Sequence, residues 1–280
     1  TARSASQAHS RVGRVMPLLE ARRLHKRFGQ QIVLDDVSFA VKTGELAGII
    51  GPNGAGKTTF FNVMTGRYRP ERGQVVFDGQ DITGQSPAKI ARAGISRSFQ
   101  LMNLFDSYSA LDNVIVAMRP IMQTAFRMVG QVRRDSSLQA RAAQLLADVG
   151  LAGKEHLPAK GLAYGDRRCL EIAVALAPEP RLLFLDEPTA GMGAQGARRL
   201  TDLIERLRQR TTIVVIEHDM PFLFRIADRI SVTSQKTLPQ EAGLVANYGP
   251  VSVLTRVQAF QTLQDPQAPV IPPYNMLPQV

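Results

Sequence analysis

The stretch "ELAGIIGPNGAGKTTFFNVMTG", residues 45–66, decides the fold. "ELAGII" is a short apolar run that stops at a glycine, as a buried strand does, and "KTTFFNVMTG" reads as a helix. Between them "GPNGAGKT", residues 51–58, fits the phosphate-loop pattern G-x-x-x-x-G-K-[ST] in the context that pattern requires, after a strand and before a helix. The glycines let backbone N–H groups wrap phosphates. Lys57 sets a point charge against the terminal phosphates, and the Thr58 hydroxyl is a ligand for Mg²⁺.

Working outward, "LLEARRL" and "DVSFAVKTG" read as half-buried strands, and "GQVVFDGQD" as a strand bounded by glycines. Residues 87–117 alternate short helix, strand ("ISRSF") and loop. In "SLQARAAQLLADVG" Leu138, Ala142, Leu145, Leu146 and Val149 fall on one helical face that ends at Gly150. "RLLFLDEP" and "TTIVVIEHD" are buried strands, separated by the amphipathic "ARRLTDLIERLRQR". Strand, helix and strand in this order predict parallel pairing through right-handed crossovers. From Thr233 the periodicity fades, and seven of the 17 prolines fall in residues 234–280, so that segment is expected to be irregular.

The 280 residues, 44% hydrophobic and 21% charged, are enough for one large α/β domain with a subdomain. No run approaches the roughly 18 to 20 apolar residues of a membrane span. The single cysteine, Cys169, excludes an intrachain disulfide and suits a reducing compartment. The net charge of +10 invites a nucleic-acid reading, but residues 1–27 carry seven Arg or Lys against Glu20 alone, which places +6 of the excess at one end. Residues 1–16 therefore read as a basic flexible tail rather than a binding face.

Asp186 and Glu187 end a buried strand, where side chains meet the crevice at the carboxyl edge of an open sheet. A turn at Pro188 aims both into the cleft: Asp186 toward Mg²⁺ through water, Glu187 toward an attacking water as its base. His218, at the end of the next strand, is placed for a contact to the γ-phosphate. A different question arises at "LAYGDRRCLEIA", residues 162–173, which reads as a helix beginning near Asp166. Its open N–H groups suit an anion, yet the first turn already holds one. Asp166 is either an ordinary acidic cap or a misplaced charge in a phosphate site.

The order of these motifs resembles the ATP-binding subunits of ABC transporters. "GPNGAGKTT", a glutamine loop at "RSFQ", "LAYGDRR", "LLFLDEPTAG" and "IEHD" follow one another across about residues 18–232. "FGQQIVLDDVSF", "FDGQDITG" and "SFQLMNLF" are most similar to the branched-chain amino-acid importers. The resemblance implies a P-loop NTPase fold, with a mostly parallel core sheet, an antiparallel β subdomain and a helical subdomain over about 100–178, all within an ATP-binding domain spanning 17–232. It implies ATP and Mg²⁺ as ligands. The ATP-binding set is Phe28, stacked on adenine, with Gly51, Pro52, Asn53, Gly54, Ala55, Gly56, Lys57, Thr58 and Thr59. Gln100 senses the metal or water and couples to the permease, alongside Thr58 and Asp186 as metal ligands. Leu162, Ala163, Tyr164, Gly165 and Asp166 face ATP held by an opposing subunit.

The chain departs from the family at position 166, usually Gln, at Ala163, often Ser, and at Gly193-Ala194, where Asn-Pro is usual. After the last strand "SQKTLPQEAGLVANYGPVSVL" replaces the usual glycine-rich stretch. These changes fall on the dimer-facing half of the site, and a bare Asp166 would repel a partner's phosphates. They favour a heterodimer with a second ATP-binding subunit over a homodimer, and weakened turnover. Transmembrane permease subunits and, indirectly, a periplasmic substrate-binding protein complete the implied assembly, peripheral at the cytoplasmic face of the inner membrane, with no nucleic acid. Urea or amide import, lipopolysaccharide export, and a soluble ATPase acting on nucleic acid or ribosomes are the alternative readings.

Overall fold

The computed structural model describes residues 16–98, 104–118, 135–232, 241–248 and 251–258. Strands β1 (Leu19–Phe28), β2 (Gln31–Val41), β4 (Arg72–Phe77) and β5 (Gln80–Asp81) make an antiparallel sheet in the order β2-β1-β4-β5. A second sheet of seven strands runs β10-β11-β9-β3-β8-β7-β6. It is built from β3 (Leu46–Ile50), β6 (Ile95–Arg97), β7 (Leu182–Asp186), β8 (Thr212–Ile216), β9 (Arg229–Val232), β10 (Glu241–Tyr248) and β11 (Val251–Gln258). From β11 to β6 every pairing is parallel, and only the β10–β11 hairpin is antiparallel. The segment expected to be irregular after Thr233 thus adds two strands to the core sheet. Neither strand contains a proline, so no ladder N–H is missing in either.

All five residues of β7 and of β8 are buried, because both faces of the parallel sheet are covered. The pleat sends alternate side chains to separate cores. Leu183, Leu185, Ile213 and Val215 join a core with α3 (Ala110–Ala117), α4 (Ser136–Asp148) and α5 (Tyr164–Leu176). Leu182, Phe184, Val214 and Ile216 point the other way, toward Leu19, Leu24, Val41 and Phe77 of the antiparallel sheet. The predicted face of α4 closes the first core through Leu138, Ala142, Leu146 and Val149, with Leu145 half-buried against it.

Helix α1 (Lys57–Met64) is wedged into the second core, where the Phe61 ring meets Phe184 edge-on with centroids 4.6 Å apart. Neither ring is exposed, and removing either to Ala costs about 3 to 5 kcal/mol in a packed core. This contact anchors the helix that follows the Gly-rich loop to the middle of the sheet, and so fixes the loop. Helices α2 (Pro87–Ala93), α6 (Ala194–Leu207) and α7 (Met220–Ile226) complete the described elements. Residues 1–15 and Gln100 lie outside the described residues.

Candidate nucleotide site

Three loops leave the carboxyl ends of adjacent parallel strands at one level. Ile49 of β3 and Asp186 of β7 both lie opposite Ile216 of β8, so Gly51, Glu187 and His218 emerge side by side. Parallel strands sit about 4.8 Å apart. The crevice outside such strand ends is the binding locus of open α/β sheets.

In the first loop Gly54 and Gly56 have φ of +81° and +82°. At Gly56 a Cβ would stand 2.8 Å from the Val33 carbonyl oxygen, so only glycine turns the chain into α1 there. The first turn of α1 has no acidic residue and no side-chain cap, which leaves its N–H groups open to an anion. Lys57 Nζ donates to the carbonyls of Gly51 (2.7 Å) and Pro52 (2.9 Å), folding its ammonium back across the loop. Pro52, Asn53, Gly54 and Thr58 are exposed at the rim, Thr59 is half-buried, and Ala55 is buried. Phe28 is 44% exposed and held edge-on by Tyr68, with ring centroids 5.2 Å apart, which suits a platform with one open face.

At the second strand end Asp186 is buried and its Oδ2 accepts from Arg97 Nη2 at 2.6 Å, while Arg97 Nη1 donates to Asn62 of α1 at 2.7 Å. Burial pushes the Asp186 carboxyl above the ordinary carboxylate range, and the Arg97 guanidinium opposes that shift. Sequence reasoning gave Arg97 no part. Glu187 has φ of +45°, a left-handed conformation that costs a non-glycine residue about 1 to 2 kcal/mol. The turn is held by bonds from the Glu187 N–H to Ile216 O (2.9 Å) and from the Ala190 N–H to Glu187 O (3.1 Å). The break from strand geometry thus falls at Glu187 itself, one residue before Pro188. His218 is 69% exposed, with Nδ1 3.9 Å from Glu187 Oε1. Glu217, also absent from the sequence reading, is fully buried between the two loops.

The 162–176 segment answers the question posed by Asp166. Helix α5 starts at Tyr164, two residues earlier than expected, because Ala163 takes the extended cap position without a side-chain bond. Asp166 sits in the first turn, but its Oδ2 accepts from Lys154 Nζ at 2.5 Å. It is neither a cap nor a bare charge. The expected repulsion from an uncompensated carboxylate is corrected accordingly: the loop before the helix brings a lysine to it. Arg167 turns to Asp106 (2.6 Å), and Arg168 turns inward to Glu171 (2.7 Å) and the Glu187 carbonyl (3.3 Å). Leu162 is buried, Tyr164 is half-exposed, and the Tyr164 ring lies over Gly191 in the turn that follows Glu187. The helix carrying Gly165 and Asp166 is therefore joined to the Glu187 loop at two points.

A family model described as ABC transporter matches residues 34–190. The chain is 39% identical over 233 residues to the high-affinity branched-chain amino acid transport ATP-binding protein LivG of Salmonella typhimurium, covering 79% of this chain and 89% of that protein. Among solved structures, a nucleotide-free ATP-binding cassette from an ABC transporter superposes with a TM-score of 0.70 at 29% identity, over 78% of this chain and 88% of that one. The dimeric post-hydrolysis state of an ATP-binding cassette bound to ADP and Pi matches with a TM-score of 0.65 at 25% identity, over 77% and 94%.

Proposed function

Since the chain belongs to the ABC transporter family, we propose that it energises the import of branched-chain amino acids by closing with a second ATP-binding subunit around two nucleotides. It is an ATPase whose hydrolysis is coupled to transport. The observation that carries the reading is the levelling of three strand ends, which groups Lys57, Glu187 and His218 at one crevice. There Lys57 leaves its loop carbonyls for the terminal phosphates, Glu187 takes a proton from the attacking water, and His218 contacts the γ-phosphate.

Thr58 and Asp186 fit a magnesium ion, since Mg²⁺ keeps several waters and takes only one or two protein oxygens besides those of the phosphates. Among the described residues no three His, Cys, Asp or Glu side chains are grouped so as to hold a metal ion by themselves, and a site completed by phosphate oxygens and water needs no such group. When bound, the ion neutralises charge on the β- and γ-phosphates.

The signature residues 162–166 serve the partner's nucleotide. With Asp166 paired to Lys154, the electrostatic reason for a different partner chain falls away, and a second copy serves as well as a heterologous subunit. Permease subunits receive the motion, a periplasmic binding protein supplies the amino acid, and the chain works peripherally at the cytoplasmic face of the inner membrane. No helix among the described residues is long and apolar enough to cross a membrane.

Replacing Glu187 by Gln keeps shape but removes the base. ATP binding is expected to persist while steady-state hydrolysis falls by about 10² to 10⁴. Hydrolysis at the parent rate sinks the assignment. Co-purification with membrane subunits and loss of leucine uptake on deletion test the cargo, whereas co-purifying rRNA or DNA overturns the transport reading.

A further inference from the structure

Glu217 follows directly on β8 and is completely buried, and its carboxylate bonds to the two loops that carry Glu187 and His218. Its Oε1 accepts from the Thr189 N–H at 2.9 Å and from the Thr189 hydroxyl. Its Oε2 accepts from the N–H groups of His218 (3.0 Å) and Asp219 (3.4 Å). Four donors converge on one carboxylate, more than a single amide or hydroxyl oxygen satisfies. The His218 ring lies between two acids, with Nδ1 3.8 Å from Glu217 Oε2 and 3.9 Å from Glu187 Oε1.

We propose that Glu217 is a positioning residue for hydrolysis, a buried strut that sets the separation between the Glu187 carboxylate and the His218 imidazole. The inference rests on the roles assigned to those two residues above. Thr189 lies inside the Glu187–Ala190 turn, and that turn keeps Glu187 at positive φ. Holding Thr189 therefore holds the left-handed conformation that aims Glu187. The same carboxylate holds the backbone N–H of His218, so the two side chains cannot drift independently. Glu217 stays behind the loops and touches no substrate. The phosphate loop depends on none of these bonds, so nucleotide grip and hydrolysis are expected to separate when Glu217 is lost.

The test uses the full chain with Glu217→Ala, Glu217→Gln and Glu187→Gln, reading kcat, Mg·ATP affinity and melting temperature. Glu217→Ala is expected to lower kcat by about 10²-fold, the cost of misplacing a reacting group by about 1 Å, with affinity held within about threefold. Glu217→Gln keeps one oxygen for the His218 and Asp219 N–H groups and offers its NH₂ to the Thr189 hydroxyl, losing chiefly the Thr189 N–H bond. It is expected to recover kcat to within about tenfold of the parent. If the alanine variant does not fold, the glutamine variant carries the test, and a lowered kcat at unchanged affinity supports the inference. Parent-like kcat in both variants overturns it, as does an equal fall of kcat and affinity, which marks a merely structural role. A slow Glu187→Gln chain beside parent-rate Glu217 variants refutes the strut alone; a Glu187→Gln chain at the parent rate refutes the base assignment beneath it.

Discussion

The pairing of Lys154 with Asp166 makes a quantitative prediction about closure of the ATPase pair. A unit charge on Asp166 about 8 Å from one phosphate charge of the partner's nucleotide, at an effective dielectric near 20, costs about 2 kcal/mol. Lys154 Nζ lies 2.5 Å from Asp166 Oδ2. Even with the ammonium on the far side of the carboxylate by that full distance, the residual repulsion is about 0.5 kcal/mol. Replacing Lys154 by Met therefore exposes the charge, and ATP-driven dimerisation in a Glu187→Gln background is expected to weaken by about 15-fold per nucleotide site at low salt. At physiological salt the Debye length is about 8 Å, so roughly a third of the free energy remains. Asp166→Gln alone is expected to shift dimerisation by no more than about threefold, and the double substitution to return to that level. Analytical ultracentrifugation at low and high salt reads all three. A Lys154→Met chain that dimerises like the parent at low salt, or an Asp166→Gln chain that improves by an order of magnitude, refutes the electrostatic reasoning.

Phe105 and Tyr108 are exposed and stacked, with centroids 5.1 Å apart, on a loop that Asn113 pins through bonds to the N–H and carbonyl of Phe105. Phe105→Ser is expected to leave the melting temperature and ATPase activity near parent values while uptake falls; matched loss of all three would assign the ring to packing. Burial raises the Asp186 carboxyl, and only the ionised form serves Mg²⁺, so the Asp186-dependent part of Mg·ATP affinity belongs to the deprotonated group. It should decline as pH falls, starting above the ordinary carboxylate value. Binding titrations of parent and Asp186→Asn across pH read the difference, and a difference constant down to pH 4 contradicts it. A Cβ at Gly191 would lie 2.7 Å from the Tyr164 ring at φ +72°, so Gly191→Ala is expected to cost about 1 to 2 kcal/mol of stability. Unchanged denaturant midpoints would count against the packing of Tyr164 over that turn.

The phosphate loop, the strands and the parallel order were legible because each is written locally: a glycine spacing, an apolar run, a strand–helix–strand alternation. The candidate residues were legible for the same reason: Lys57 closes the glycine spacing, and Glu187 and His218 follow the ends of buried runs. The partners of these residues were not. Arg97 reaches Asp186 across 89 positions and Glu217 reaches Thr189 across 28, and only the strand order brings them together. Lys154 lies 12 residues before Asp166, but the intervening 3₁₀ turn at Ala159–Gly161 sets its approach, and no periodicity signals it. A carboxylate closing the fully buried "TIVVI" strand was the available hint of Glu217. In the C-terminal segment the prolines outweighed the alternation of "VSVLTRVQ", although neither strand contains one.

The alternation along β7 and β8 makes the central sheet a partition. Neighbouring residues of one strand belong to different compartments: Leu183 to the side that carries the signature helix, Phe184 to the side that seats the phosphate-loop helix. A lineage can therefore remodel the helix-bearing compartment through substitutions at every second position. The compartment that grips the nucleotide feels those changes only through the shared backbone. The contact of Arg168 with the Glu187 carbonyl ties the helix of the first core to the loop that follows β7. Change on the helix-bearing side and preservation of the phosphate-loop helix are thus separable demands on adjacent codons.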